Sequence, residues 1–271
     1  QEKEQYRAEA RRLLQQLQAP APQPERSKTR FVRRLLQVAA VVCFVLGSVY
    51  LWDYWRKATV DYLEVATAVN EHRDIMLPDG TRLTLNACSR VRYPEQFLAE
   101  TREVELEGEG FFSVTHDAAH PFVIKTSRMD VRVLGTRFNV KSYSTDEIIA
   151  VEVEEGKVQV DLPEAMMRLK ANEQMVCNTS SDVFNKQRME HEAATWRKGF
   201  LYFDRTPMSD VVKTLERLYS CRIRLAPDQT FDNLISGEHD NPNLESVLQS
   251  IEFTSGIHYR KEGNDILLYK D

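Results

Sequence analysis

Cysteine is scarce in this chain, with four in 271 residues, and no CxxC pair or zinc-like spacing joins them, so a disulfide scaffold is excluded. Glycine and proline number ten each, which rules out a collagen-like chain. No GxSxG, HExxH or GxxxxGKS/T run occurs, so the common hydrolase, zinc-protease and phosphate-loop signatures are missing. Long uncharged apolar runs are limited to a single one, which excludes a multi-pass membrane protein. The remaining composition, 42% hydrophobic, 28% charged and 9% aromatic with a net charge of -5, is that of a globular chain rather than a disordered one. Its length suits about two domains of ~100 to 200 residues. Because it begins at Gln1 rather than Met, the true N-terminus is expected to be missing.

The average charge hides an asymmetry. Residues 1–34 carry nine Lys or Arg against four Glu, a net of +5, whereas residues 58–271 carry 25 basic against 36 acidic side chains, a net of -11. Between them residues 35–52, LLQVAAVVCFVLGSVYLW, hold no charge. As a helix they would span about 27 Å, close to the roughly 30 Å hydrocarbon core. A buried core helix should show a polar face, and this segment is apolar all round. A signal peptide should place its basic residues near the start and a small-residue cleavage site after the run, whereas here 34 residues precede it and Tyr50, Trp52, Tyr54 and Trp55 form an aromatic collar. A single transmembrane helix is therefore expected, with Arg30, Arg33 and Arg34 placing the N-terminus in the cytoplasm.

Residues 2–17 read as a short helix with Leu13, Leu14 and Leu17 as apolar contacts, ended by Pro20, Pro22 and Pro24. So few apolar residues cannot form a core alone; the segment is either a solvated stalk or part of a module that docks on a cytoplasmic partner.

From Arg73 to Val183 the dominant period is two. Arg73 to Met76 leads into the turn Pro78-Asp79-Gly80; Arg82, Leu83, Thr84 and Leu85 alternate; Val104 and Leu106 alternate with acids before a break at Gly108 and Gly110, and Phe111 to Val114 follow. Val131 and Val133, then Phe138 and Val140, bracket Gly135; Ile149, Val151 and Val153 run through a turn at 154–157 into Val158 and Val160. Seven or more short strands without a long amphipathic helix predict an all-β sandwich or solenoid, and periodicity leaves the two open.

Five ordered blocks lie in this stretch: LPDGTRLTLNACSRVRYP (77–94), VELEGEGFFSV (104–114), PFVIKT (121–126), VLGTRFNVKSY (133–143) and VEVEEGKVQV (151–160). Together they resemble the FecR family of transmembrane anti-sigma regulators. The resemblance implies a periplasmic β domain, β-solenoid-like or sandwich, in a single-pass inner-membrane protein whose cytoplasmic part controls an extracytoplasmic-function (ECF) sigma factor, with proteolysis near the membrane as a transmission step. For that sigma-binding role, 34 residues are short beside the family's helical domain.

The tail reads as a repeated β-α-β unit. Phe200 to Phe203 form a strand, Thr206-Pro207 an N-cap and first helical residue, and Asp210 a first-turn acid that complements the helix dipole. Val211, Val212, Leu215, Leu218 and Tyr219 recur at helical spacing before a returning strand at 221–225. The second copy runs from Ile235 to Glu238, breaks at Asn241-Pro242, continues as a helix with Leu244, Val247, Leu248 and Ile251, and ends in strands at 257–261 and 266–269 joined by Gly263-Asn264-Asp265. The runs FLYFDRTPMSDVVKTLERLY and SGEHDNPNLESVLQSI look like the C-terminal domain of FecR-like proteins of the Bacteroidetes type, itself similar to the secretin and TonB N-terminal domain. That likeness implies contact with the signalling domain of a TonB-dependent outer-membrane transporter. The exposed edge of a small sheet offers strand addition as its physical means.

The expected organisation is thus a cytoplasmic segment (1–34), a transmembrane helix (35–52), a connector (53–72), a FecR-like mainly β domain (73–190) and a small α+β domain (199–271). Of the six histidines, His116 and His120 have helical metal spacing, but Ala118, Ala119 and Pro121 suggest a loop, so no metal and no cofactor are expected. Gly108 and Gly110 look phosphate-like, yet Glu107 and Glu109 would repel an anion. With Cys43 in the apolar run, Cys88, Cys177 and Cys221 can make at most one disulfide or serve as small buried apolar residues. The resemblance marks one further candidate, the step Gly135-Thr136, where some FecR-like regulators cut themselves. There the Thr136 hydroxyl would attack the Gly135 carbonyl in a strained turn; the competing account is a glycine bulge in a strand. Otherwise no enzyme site is expected. The rival from another class, a membrane-anchored periplasmic glycan-binding protein, would need a surface cluster of aromatics.

Overall fold

The computed structural model describes residues 9–14, 26–58, 61–240, 243–263 and 265–270. The chain divides into two compact units, Gln1–Thr59 and Val60–Asp271. In the first, residues 9–14 are helical with Leu13 and Leu14 exposed, while the rest of the expected 2–17 helix and the three prolines lie outside the described residues. Helix α1 (Arg26–Ala58) contains the apolar span Val32–Trp52, which has a mean hydropathy of 2.1. This span is long and apolar enough to cross a membrane.

The second unit begins with thirteen strands joined in one sheet: β1 (Tyr62–Ala66), β2 (Arg73–Met76), β3 (Arg82–Leu85), β4 (Arg90–Pro94), β5 (Arg102–Ser113), β6 (Phe122–Lys125), β7 (Asp130–Val133), β8 (Arg137–Ser142), β9 (Ile148–Glu155), β10 (Lys157–Asp161), β11 (Met166–Lys170), β12 (Glu173–Asn178) and β13 (Val183–Arg188). Between the two forms left open by periodicity, the strands adopt the sandwich-like one, folded so far round that the sheet is nearly a closed barrel. One layer holds β1, β4, β6, β7, β10 and β11, the other β2, β3, β8, β9, β12 and β13, and β5 belongs to both.

Strand β5 explains the folding-over, and corrects the expected break at Gly108 and Gly110. Its first half pairs with β4 and β6 and its second half with β3 and β8, so the glycines are the corner of one continuous strand. Gly108 has φ +109°, and a Cβ there would lie 2.3 Å from Ser89 Oγ and 2.7 Å from Ser89 Cα. Only glycine tolerates both that dihedral and that approach. The alternation then places Val104, Leu106 and Phe112 inward, where Phe112 meets Phe122 and Phe138 at ring distances of 6.2 and 5.6 Å.

A linker with a short 3-10 turn (Thr195–Lys198) leads to the tail module: β14 (Phe200–Pro207), α2 (Met208–Leu218), β15 (Arg222–Leu225), β16 (Leu234–Asp240), α3 (Leu244–Ser255), β17 (His258–Glu262) and β18 (Asp265–Tyr269). The expected N-cap at Thr206 is not formed: Thr206 and Pro207 stay in the ladder opposite Ile235 and Leu234, and α2 starts at Met208 with Pro207 at its cap position. In α3 the Asn243 side chain caps the helix by accepting the Ser246 N–H at 2.9 Å. The repeat is present, but its strands pair between copies: β14 with β16 in one antiparallel ribbon, and β15 with β18 and β17 in a second sheet. The expected break at Asn241-Pro242 and the turn residue Asn264 lie outside the described residues. Leu201, Met208, Val211, Leu215, Val247, Leu248 and Ile251 form this module's own core, separate from that of the β module.

Candidate functional site

Helix α2 has two faces with different tasks. Val211, Val212, Leu215 and Leu218 enter the tail core, while Asp210, Lys213, Thr214 and Arg217, at three- and four-residue spacing, turn toward the β8–β9 loop of the β module. Asp210 is fully buried and accepts the backbone N–H of Glu147 at 3.0 Å and of Ile148 at 2.8 Å, with Lys213 Nζ at 3.0 Å. Ser209 Oγ donates to Glu147 Oε1 at 2.7 Å, and Lys213 Nζ to the Thr145 carbonyl. Arg217 makes a bidentate pair with the buried Asp146, both contacts at 2.8 Å, and lies 3.8 Å over the Tyr143 ring. Burial works against the Arg217 charge, but the Asp146 carboxylate outweighs it and holds the guanidinium above its ordinary range. Desolvation likewise raises Tyr143. The arrangement fixes the orientation of the tail module on the β module through charge-assisted hydrogen bonds.

The linker adds a second attachment. Met189, Ala193, Ala194 and Trp196 cluster on Phe111, and Arg197 lies 3.8 Å over the same ring. Ala194 has φ 54°, a left-handed conformation that costs about 1 kcal/mol or more for a residue with a Cβ. Its N–H donates to Glu152 Oε2 at 2.9 Å. Asn139 Nδ2 joins that carboxylate to Glu109, at 3.3 and 2.9 Å, and Asn86 Nδ2 donates to Glu109 at 2.8 Å. Burial raises the Glu152 carboxyl, with the Ala194 N–H acting against it. A cavity of about 100 Å³ lies here, lined among others by Glu109, Lys141, Tyr143, Glu152, Trp196 and Arg217, and Trp196 Nε1 is buried without a hydrogen-bond partner among the described residues. At roughly 30 Å³ per water this is room for a few waters and too small for a metabolite.

Gly135 and Thr136 lie in the link between β7 and β8, not within a strand, so the bulge account does not describe them. Gly135 has no left-handed φ; glycine is needed because a Cβ would come within 2.6 Å of His116 Cα. Thr136 is buried, and its hydroxyl donates to the Lys157 carbonyl at 2.9 Å rather than to a general base. His120 Nδ1 is 2.8 Å from Asp117 Oδ2 on the surface, while His116 packs on Gly135. All four cysteines are free: Cys177 is buried, Cys221 half-buried, and Cys43 and Cys88 exposed, so Cys88 departs from the buried role open to it. The tail ribbon and its neighbouring sheet leave β14, β16, β15 and β17 each with one unpaired edge among the described residues. Phe111, Phe112, Phe122, Phe138 and Phe203 are buried, while Tyr62, Phe184 and Phe253 are exposed, Phe253 on α3 at 92%.

The clamp at Asp146, Asp210 and Arg217 was not legible as a site. Asp210 looked like a dipole complement, and the only signal was a polar stripe at 210, 213, 214 and 217 opposite the apolar one.

Against known families, residues 64–159 match the FecR protein family and residues 200–268 match the FecR C-terminal family. Two crystal structures of a candidate anti-sigma factor from Parabacteroides distasonis ATCC 8503 share the fold. One is 46% identical, with a TM-score of 0.75 over 78% of this chain and 100% of that chain. The other is 47% identical, with a TM-score of 0.73 over 77% and 99%. No curated protein matches. The arrangement is that of a two-module β and α+β body carried on a chain with one apolar helix. The chain belongs to the FecR family.

Proposed function

We propose that this protein is a single-pass anti-sigma regulator of the inner membrane. The observation that carries the reading is the order of parts in one chain: a basic segment, one apolar span, then the FecR and FecR C-terminal modules. The positive-inside rule sets the basic end in the cytoplasm, where it acts on an ECF sigma factor, and sets both modules in the periplasm. The tail module, with its unpaired strand edges, receives the signalling domain of a TonB-dependent transporter engaged with its substrate. The polar clamp on the β8–β9 loop then passes that event to the β module. No enzymatic step by this chain is part of the reading, and no cofactor or metal is invoked.

The test is a pull-down from outer-membrane extract with residues 57–271 as bait. Recovery of a TonB-dependent transporter is expected; recovery of glycan without transporter would favour a membrane-anchored glycan-binding protein instead. In parallel, a reporter driven by the cognate sigma factor should lose its response to transporter substrate when residues 199–271 are deleted.

A further inference from the structure

The unit from Val60 onward carries a net charge of -11, yet one groove of about 510 Å³ on the outer face of the β2, β3, β5 and β8 layer is lined by three arginines and a single acid. The pairing register builds it. Met76 stands opposite Arg82, Arg82 opposite Ser113, and Ser113 opposite Arg137, so these four side chains form one row across the strands. At about 4.8 Å per strand the row is roughly 14 Å long, with Arg82 and Arg137 roughly 10 Å apart. Arg197 enters from the linker turn, held by stacking on Phe111 in the neighbouring row. Arg137 is partly neutralised by Glu154 at 2.9 Å. Arg82 and Arg197 are exposed and form no ion pair with another described residue. Asp74, the one acid in the lining, is already engaged by the Thr84 hydroxyl at 2.7 Å. At the far end Met76 is 59% exposed.

We propose that this groove is a docking site for an extended acidic peptide segment of a partner protein. Guanidinium groups form bidentate hydrogen bonds to carboxylates, and two that lack partners, one of them pre-oriented on an aromatic ring, lose little freedom on binding. A row of roughly 14 Å matches four or five extended residues. Its occupant carries two or three acidic side chains over Arg82, Arg197 and Arg137 and an apolar one over Met76. The exposed thioether is what favours a peptide over an acidic glycan, which has no apolar side chain to place there. In a unit that otherwise repels anions, such a patch also orients the approach of its partner.

The test uses the full chain in nanodiscs of zwitterionic lipid and a fluorescent Leu-Glu-Thr-Asp-Glu peptide, read by anisotropy. Saturable binding that weakens with salt is expected, reduced at least tenfold by Arg82→Glu with Arg197→Glu and about threefold by Met76→Thr, while Arg222→Glu on the tail module leaves it unchanged. Arg82→Gln with Arg197→Gln, checked for an unaltered melting temperature, guards against misfolding. The proposal is overturned if the double reversal leaves affinity within twofold. It is equally overturned if oligogalacturonate binds as tightly as the peptide and ignores Met76→Thr, which would make the groove a glycan site. Displacement of the peptide by self-association of the chain, seen by mass photometry, would assign the groove to a second copy and also overturn it.

Discussion

Inside the β module, Phe112, Phe122 and Phe138 meet with Leu83, Val104 and Val151 in a mainly apolar interior, with Arg102, paired to Asp79, over the Phe122 ring, and the tail module has a second apolar interior around Met208, Leu215 and Val247. At the seam where α2 meets the β8–β9 loop, the groups that join the modules are the buried Asp146 and Asp210 and the half-buried Arg217. Burial of apolar area supplies folding energy in proportion to area and with little directional preference. Buried ion pairs contribute little net stability, because desolvation offsets the attraction, but they tolerate one geometry only. The comparison therefore separates two tasks: the cores make each module stable, and the seam sets how one is held on the other. A polar seam also rehydrates easily when opened, which fits the signalling role proposed above.

That contrast can be broken at either side. The largest effect is expected in the β core, where Phe112→Ala should cost about 3 to 5 kcal/mol by transfer and cavity terms, read as a lower urea midpoint with an unchanged slope. At the seam, Arg217→Met leaves the buried Asp146 with Lys141 at 3.6 Å as its remaining cation and should cost about 3 kcal/mol. Adding Asp146→Leu should recover at least half of it; no recovery would mean that the pair is itself a net stabiliser and that the two tasks are not separate. Asp210→Asn should cost about 1 to 3 kcal/mol. In that variant, amide exchange should speed up at Glu147 and Ile148 while amides of the β core stay protected.

Two smaller effects sharpen the picture. His239 is buried in the tail core with Nδ1 at 2.8 Å from Ser250 Oγ and Nε2 without a partner among the described residues, and desolvation lowers its pKa below the ordinary 6.5. The unfolded chain therefore binds the proton more readily, so this residue's contribution is fully present above pH 6.5 and lost as pH falls through and below it. A His239→Gln variant should show a flatter melting temperature between pH 7 and 5 than the parent; an equal slope would place the titration elsewhere. At Thr136, whose hydroxyl is held by a carbonyl, parent and Thr136→Ala should both give one intact band on a denaturing gel, and fragments from the parent alone would reverse that expectation.

Local pattern carried much of the fold. Period-two stretches located the strands around Leu83, Val104, Val131 and Val151, and helical spacing located α2 and α3, because each reports only which side of an element faces apolar surroundings. It failed at Gly108 and Gly110 for the same reason. A glycine pair looks alike at a chain break and at a corner, and the difference is whether Ser89, nineteen positions earlier, occupies the space a Cβ would need. Thr206 failed similarly, since a threonine before proline suits a helix cap until Ile235 pairs with it in a ladder. The candidate Gly135-Thr136 was found from likeness to a family; its actual neighbours, His116 and the pair Gly156-Lys157, come from two other segments.

By itself the sequence determined the apolar span, the split of charge around it, the two modules that follow it and the repeat in the tail, all legible from composition and local period. Tertiary structure alone decided that β5 serves both layers, that the tail strands pair between copies, that Asp146, Asp210 and Arg217 meet at the seam, and that Arg82, Arg137 and Arg197 share a groove. These depend on contacts between residues far apart in the chain, from 20 positions for Arg102 opposite Phe122 to 71 for Asp146 with Arg217. Such pairings follow from closing the chain around its cores, and no local period records them.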